Sequence, residues 1–279
     1  MPEGHVTHRI AGILNDRFGG HPVRSTSPQG VFSDAAELDG RVFERAEAYG
    51  KHMFVGFEDV PKRVNIHLGL LGKFFFANEV DPPQTGAIRW RLSTGDDPFT
   101  MDLRGPNVCQ LRSDTEIATI TDALGPDPLR PDADPEKAWA RIHRSASPIA
   151  LLCTDQKVFA GVGNIYRAEA LYRHHVDPFM SGKFLRRTEF EDIWDDFVTL
   201  MPLGVRDGRI DTVYPEHTPE AMDRPPRVDK HGGEVYVYRR EGQPCLVCGT
   251  PVSRTELSGR NLFWCRTCQP RSRRRVVRD

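Results

Sequence analysis

A chain of 279 residues holds about two domains and ample material for a core. Its 38 Lys and Arg against 39 Asp and Glu leave a net charge of −1, which excludes a globally basic nucleic-acid binder. There is no run of ~18 apolar residues, and no basic stretch followed by an apolar one at the start, so neither a membrane span nor a secretory signal is expected.

The chain begins Met1-Pro2-Glu3-Gly4-His5. Proline in second place favours removal of Met1, which would expose a secondary amine. Such an amine can attack a sugar aldehyde carbon and form an iminium. An α-amino group titrates near ~7.7–8.0, against ~10.4 for lysine, so part of it is unprotonated at neutral pH. Val6, Ile10, Ile13, Leu14 and Phe18 recur at helical spacing, which puts Pro2 in or just before a first helical turn. The helix dipole there disfavours an ammonium, and Glu3 stands beside it as a proton donor or acceptor. Alone, this is an ordinary protein start, and the other motifs must carry the argument.

Residues 22–112 read as short strands separated by Gly, Pro, Asp or Asn: 41–49, 52–58, 63–67, 73–77, 88–93, 99–103 and 108–111. Many strands and one helix imply a β-sandwich or barrel. Gly50-Lys51-His52 lies between two of them, and its lysine is either exposed and inert or a phosphate holder. Leu70 and Leu71, in the glycine-flanked stretch 67–72, either fill the core or form a wedge entering a base stack. Phe74, Phe75 and Phe76 read as core, as do Cys109 and Cys153.

The character changes at Ser113, where Ser113-x-x-Glu116 is a capping box for a helix to about residue 124. Proline-rich residues 125–135 break it. Asp134-Pro135 and Ser147-Pro148 each read as an N-cap followed by proline. A further helix is expected near 162–174, after Ala160-Gly161-Val162-Gly163-Asn164. There Asn164 either caps the helix or donates to a phosphate at its N-terminus. Thr188-x-x-Glu191 suggests the cap of the last helix. Residues 206–233 are polar and proline-rich, a loop long enough to be functional or disordered.

Cys245-x2-Cys248-x16-Cys265-x2-Cys268 can close a tetrahedral four-cysteine site around one structural zinc, leaving no open position for catalysis. This use of cysteine suits a reducing cytoplasm better than a disulfide framework. Arg254 and Arg260 fall on the intervening hairpin, where arginine suits phosphate. From Arg239 onward, ten arginines face three acids, a local basic footprint.

Together, Pro2-Glu3-Gly4, Gly50-Lys51-His52, Gly161-Val162-Gly163-Asn164-Ile165-Tyr166, and Arg240-Glu241-Gly242-Gln243-Pro244-Cys245 leading to Gly259-Arg260 resemble the formamidopyrimidine-DNA glycosylase/endonuclease VIII family from end to end. The resemblance implies an α+β multidomain fold: an N-terminal helix with a β-sandwich (1–112), a helix–two-turn–helix domain (113–234, including the loop 206–234), and a four-cysteine zinc finger with a basic tail (235–279). DNA would lie in the cleft between the domains. Pro2 is implied as nucleophile and Glu3 as acid/base, with Lys51, Asn164 and Arg260 at phosphate-binding and support positions. Asp155 and Glu169 fall in family-like surroundings without an assigned role. The expected partner is damaged DNA, with no membrane; the chain is expected to act as a monomer in the cytoplasm.

The purine-specific branch of that family supplies an arginine and an aromatic from a loop after Asp-x-Arg. Here Asp102-Leu103-Arg104 is followed by Gly105-Pro106-Asn107, without an aromatic. Nor does 206–233 resemble that branch's base-capping loop. Endonuclease VIII-like removal of oxidised pyrimidines, with β,δ-elimination, is therefore expected. The alternatives are a formamidopyrimidine/8-oxoguanine glycosylase and a non-catalytic zinc-ribbon nucleic-acid binder.

Overall fold

The computed structural model describes residues 2–95, 98–229 and 233–272. The processing of Met1 and the last arginines of the basic tail lie outside them. The chain divides into two compact units, Met1–Ala123 and Leu124–Asp279.

The first unit opens with helix α1 (Gly4–Phe18), whose Ile10, Leu14 and Phe18 enter the core as their spacing requires. Eight strands follow: β1 (Val23–Thr26), β2 (Phe43–Tyr49), β3 (His52–Phe57), β4 (Arg63–His67), β5 (Lys73–Ala77), β6 (Ile88–Thr94), β7 (Thr100–Arg104) and β8 (Val108–Arg112). They form two antiparallel four-stranded sheets, ordered β1-β6-β7-β5 and β2-β3-β4-β8. Alternate residues Met53, Val55 and Phe57 of one sheet and Trp90 and Leu92 of the other share a single core, so the expected sandwich is present. Strand β1 and a 3-10 turn at Ser33–Leu38 had no clear sequence signal.

Helix α2 (Asp114–Asp122) carries the Ser113–Glu116 capping box, with each partner reaching the other's backbone. It groups with the first unit, where Arg63 of β4 reaches Asp114 at 2.8 Å, although the sequence placed the change of domain before it.

The second unit contains α3 (Pro135–Ile142), α4 (Ile149–Leu152), α5 (Asn164–Arg173) and α6 (Arg187–Asp207). Asp134 caps α3 with proline at the next position, as expected. Pro148, by contrast, is itself the N-cap of α4. Helix α6 starts ahead of the Thr188 box: the buried Glu189 accepts from the Arg186 N–H at 2.9 Å, while Glu191 is engaged by Arg187. The polar segment after α6 is held down. Arg224 donates to Glu234, Arg227 donates to the Tyr238 carbonyl, and Tyr236 receives the Tyr214 N–H on its hydroxyl.

Strands β9 (Ser253–Leu257) and β10 (Arg260–Trp264) form the finger hairpin. Ser258 and Gly259 between them have φ of 50° and 73°, the two positive values a tight two-residue hairpin turn requires. Val252, Leu262, Phe263, Cys245 and Cys265 belong to the same core as helices α3–α6, so the finger packs as part of the second unit.

Candidate active site

Pro2 lies immediately before α1, and Glu3 is the helix N-cap in extended conformation, almost wholly buried. No acidic side chain follows in the first turn, which leaves Glu3 as the carboxylate at that end. At the second residue of α1, burial and then the nearby Arg9 push the His5 imidazole down to about 4, so it is neutral at pH 7.

Lys51 occupies the two-residue turn between β2 and β3, with Gly50 at φ 57°. His52 and His67 face each other across β3 and β4, with ring centroids 4.7 Å apart. Burial, and then His67, push His52 to about 4; burial, and then the Lys51 charge, push His67 down as well. Protonation of both imidazoles beside Lys51 is thus disfavoured.

Leu70 and Leu71 are 66% and 80% exposed and so do not fill the core, while Leu68 turns into it. Gly69 has φ 64°, and a Cβ there would meet the Asn107 side chain at 2.2 Å. This close approach sets the leucine loop against the turn that follows Arg104. Arg104 is itself held, donating to Asp102 at 2.9 Å. Asp102 also receives two bonds from Arg91, its cross-strand partner, at 2.7 and 3.0 Å. Burial raises the Asp102 carboxyl, but these hydrogen bonds outweigh it and keep the group below its ordinary range.

Phe75 and Phe76 correct the sequence reading: both are exposed, because β5 is the edge strand of its sheet. Phe75 stacks on the Arg104 guanidinium at 4.3 Å. Cys109 and Cys153 are buried as expected, and burial pushes both thiols up to about 12, where they are inert.

In the second unit, Asn164 is the first residue of α5 and not its cap, since Gly163 takes that position in extended form. The Gln156 side chain braces the glycine loop, accepting from the Gly161 N–H and donating to the Val162 carbonyl. Arg260 opens β10 and lies 3.4 Å from the Thr154 carbonyl. Next to it the Asn261 carbonyl accepts from Arg167 of α5 at 2.6 Å. Glu169 of α5 accepts from the backbone N–H groups of Tyr236, Val237 and Tyr238 and from the Thr212 hydroxyl. It is a structural clamp. Asp155 caps the short turn at Lys157. Arg240 is also structural, bonding the Tyr236 and Pro244 carbonyls.

The four finger cysteines converge, with all Sγ atoms within 4.8 Å of one another. The sulfurs of Cys245 and Cys268 are 3.8 Å apart, and those of Cys248 and Cys265 are 3.5 Å apart. Tetrahedral zinc with sulfur at about 2.3 Å requires edges of about 3.8 Å, so the residues fit one zinc ion.

Family models match the chain in succession along its length. They are the formamidopyrimidine-DNA glycosylase N-terminal domain over 1–109, the formamidopyrimidine-DNA glycosylase H2TH domain over 124–214, and the zinc finger found in FPG and IleRS over 242–271. Endonuclease 8 1 of Mycobacterium tuberculosis is 47% identical over 277 residues, spanning 96% of this chain and 100% of that protein. The chain belongs to the formamidopyrimidine-DNA glycosylase/endonuclease VIII family. It is thus a DNA glycosylase of base excision repair with a structural zinc finger.

A formamidopyrimidine-DNA glycosylase of Nocardioides sp. is 30% identical over 255 residues, covering 86% of this glycosylase and 81% of that one. MutM (Fpg) from Thermus thermophilus has a TM-score of 0.75 at 25% identity, covering 97% of this chain and all of that one. The fold is also that of Lactococcus lactis Fpg, crystallised with abasic-site DNA: TM-score 0.77, 20% identity, 96% and 100% coverage. Among the described residues of this glycosylase no helix is long and apolar enough to cross a membrane. Sequence reasoning read Phe75 as core and missed Gln156 and Arg167; their partners lie in distant parts of the chain or across a loop, and no local motif marks them.

Proposed function

We propose that this glycosylase is bifunctional, removing oxidised pyrimidines through a Schiff base at Pro2 and cleaving the strand by β,δ-elimination. The observation that carries this reading is the placement of Pro2 directly before a buried Glu3 at the start of α1. A base inside a duplex hides its C1′, so the nucleotide must first flip out. The exposed Leu70 and Leu71 suit the vacated space. As the Pro2 nitrogen attacks C1′, the C1′–O4′ bond breaks and Glu3 protonates the departing ring oxygen; the Pro2 nitrogen then loses its proton, and its lone pair forms the C1′=N bond as the damaged base leaves with the electrons of the glycosidic bond. The resulting iminium acidifies the C2′ proton, and its loss expels the 3′ phosphate; a second elimination expels the 5′ phosphate. Lys51 in the first unit, and Asn164 and Arg260 in the second, hold phosphates.

The test is borohydride trapping on abasic-site DNA, where reduction of the iminium is expected to leave a covalent protein–DNA adduct. Binding without an adduct would favour the non-catalytic zinc-ribbon reading.

Lesion choice rests on the turn after Arg104, which carries no aromatic of its own. Oxidised pyrimidines are expected to be excised faster than 8-oxoguanine in matched duplexes under single-turnover conditions. The purine reading has one observation in its favour: Phe75 stacked on Arg104 restores an arginine–aromatic pair there. The reverse order of rates would establish it.

A further inference from the structure

We propose that the Tyr172 hydroxyl is a dedicated hydrogen-bond donor to the zinc thiolates, tying the metal to the helix that begins at Asn164. Tyr172 is almost wholly buried near the end of α5, and its oxygen lies 3.0 Å from the Cys245 sulfur and 3.8 Å from that of Cys268. A cysteine must lose its proton to ligate zinc, so each bound sulfur only accepts and the tyrosine O–H must donate. Its ring stacks on Tyr236 with centroids 4.7 Å apart, a contact phenylalanine would make equally well. The hydroxyl itself therefore needs an explanation. Buried tyrosine hydroxyls take a partner, and among the described residues the two sulfurs are the partners this one has.

The surroundings make this a joint and not a single contact. Just past α5, His175 Nδ1 is 3.0 Å from the Cys268 carbonyl, and Gln269 donates to the Val176 carbonyl at 3.0 Å. Earlier on α5, Arg167 grips Asn261, the neighbour of Arg260. Eight residues at 1.5 Å per residue put Tyr172 about 12 Å along the helix from Asn164. One rigid element thus carries Asn164 at one end, clamps the arginine-bearing hairpin in its middle, and touches the zinc ligands at the other. A donor at sulfur withdraws electron density from the thiolate, making it a poorer nucleophile toward oxidants and a ligand held in one orientation. Tyr172 is a positioning residue.

Full-length Tyr172→Phe protein tests this through the metal alone. Zinc transfer to a colorimetric chelator is expected to be roughly tenfold faster than in the native protein, within the range that partners of metal ligands contribute. Peroxide should accelerate it further. In the cobalt-substituted protein the sulfur-to-cobalt charge-transfer bands should move to lower energy, because the thiolates become more electron-rich. Tyr236→Phe is the control: it removes a buried hydroxyl from the same stack, one bonded to Tyr214 and His217 and not to sulfur. It should leave the bands and the transfer rate unchanged. Native bands and rate in Tyr172→Phe, or an equal change in Tyr236→Phe, would overturn the proposal. Should Tyr172→Phe not fold, 3-fluorotyrosine installed at 172 decides. This stronger donor should shift the cobalt bands to higher energy, and unshifted bands overturn the proposal.

Discussion

Protein carrying an uncleaved extension ahead of Pro2 is expected to bind abasic-site DNA yet give no borohydride-trapped adduct; removal of the extension should restore trapping. While a residue precedes it, the Pro2 nitrogen is a tertiary amide whose lone pair is delocalised into the carbonyl. An amine displaced by one residue does not recover the reaction, since misplacement by about 1 Å can cost ~100-fold. Binding survives because Lys51, Asn164 and Arg260 are untouched. Pro2→Gly, which offers a free but primary amine, should be impaired and not dead. Glu3→Gln should lose base excision more than cleavage of preformed abasic sites, where no base remains to be expelled. Trapping with the extension on, then off, is the decisive pair of measurements. Equal adduct yields would place the nucleophile elsewhere, with Lys51 the first residue to replace.

Cys265→Ser should lose the zinc and weaken DNA binding by roughly tenfold or more, while the sandwich stays folded. Cys265 is wholly buried, in a core that Val252, Leu262 and Phe263 of the finger share with the helices. Structural zinc supplies on the order of 10–16 kcal/mol in isolated finger peptides, far more than so small a hairpin gains from its own packing. Without the metal, β9 and β10 lose one of the ties that hold Arg260 in place, leaving the packing of Leu262 and Phe263 and the Arg167–Asn261 bond. The sandwich belongs to the other compact unit, with a core of its own. Metal analysis and binding titrations at several salt concentrations check this. Arg260→Ala, which keeps all four cysteines, should retain zinc but flatten the salt dependence by about 0.9, the slope of one phosphate contact. Full zinc occupancy in Cys265→Ser would break the first link, and an unchanged slope in Arg260→Ala the second.

Much of this molecule was legible from short-range rules. The seven strands named from the sequence are short and rich in β-forming residues, and Gly, Pro, Asp or Asn separates most of them. The Ser113–Glu116 box and the Asp134-Pro135 start act within a single helical turn. The zinc ligands are separated by two intervening residues within each pair, so each half of the site is written locally. Where two local rules competed, packing chose between them. Glu189 prevailed over the Thr188–Glu191 box because its carboxylate is buried against the helix start, while Arg187 engages Glu191.

What the sequence by itself determined, then, was the kind of most elements and the four ligands of the zinc site. What only the tertiary structure decided was which distant groups meet. Phe75 is exposed because the sheet order makes β5 an edge, and strand order depends on pairings far apart in sequence. The Glu169 carboxylate reaches the N–H groups of Tyr236, Val237 and Tyr238 across 67 to 69 residues. Arg167 meets Asn261 across 94, and Tyr172 meets Cys245 across 73. Periodicity, capping and turn chemistry act over a few residues along the backbone. A hydrogen bond across such distances exists only once the core has packed and closed the loop between its partners.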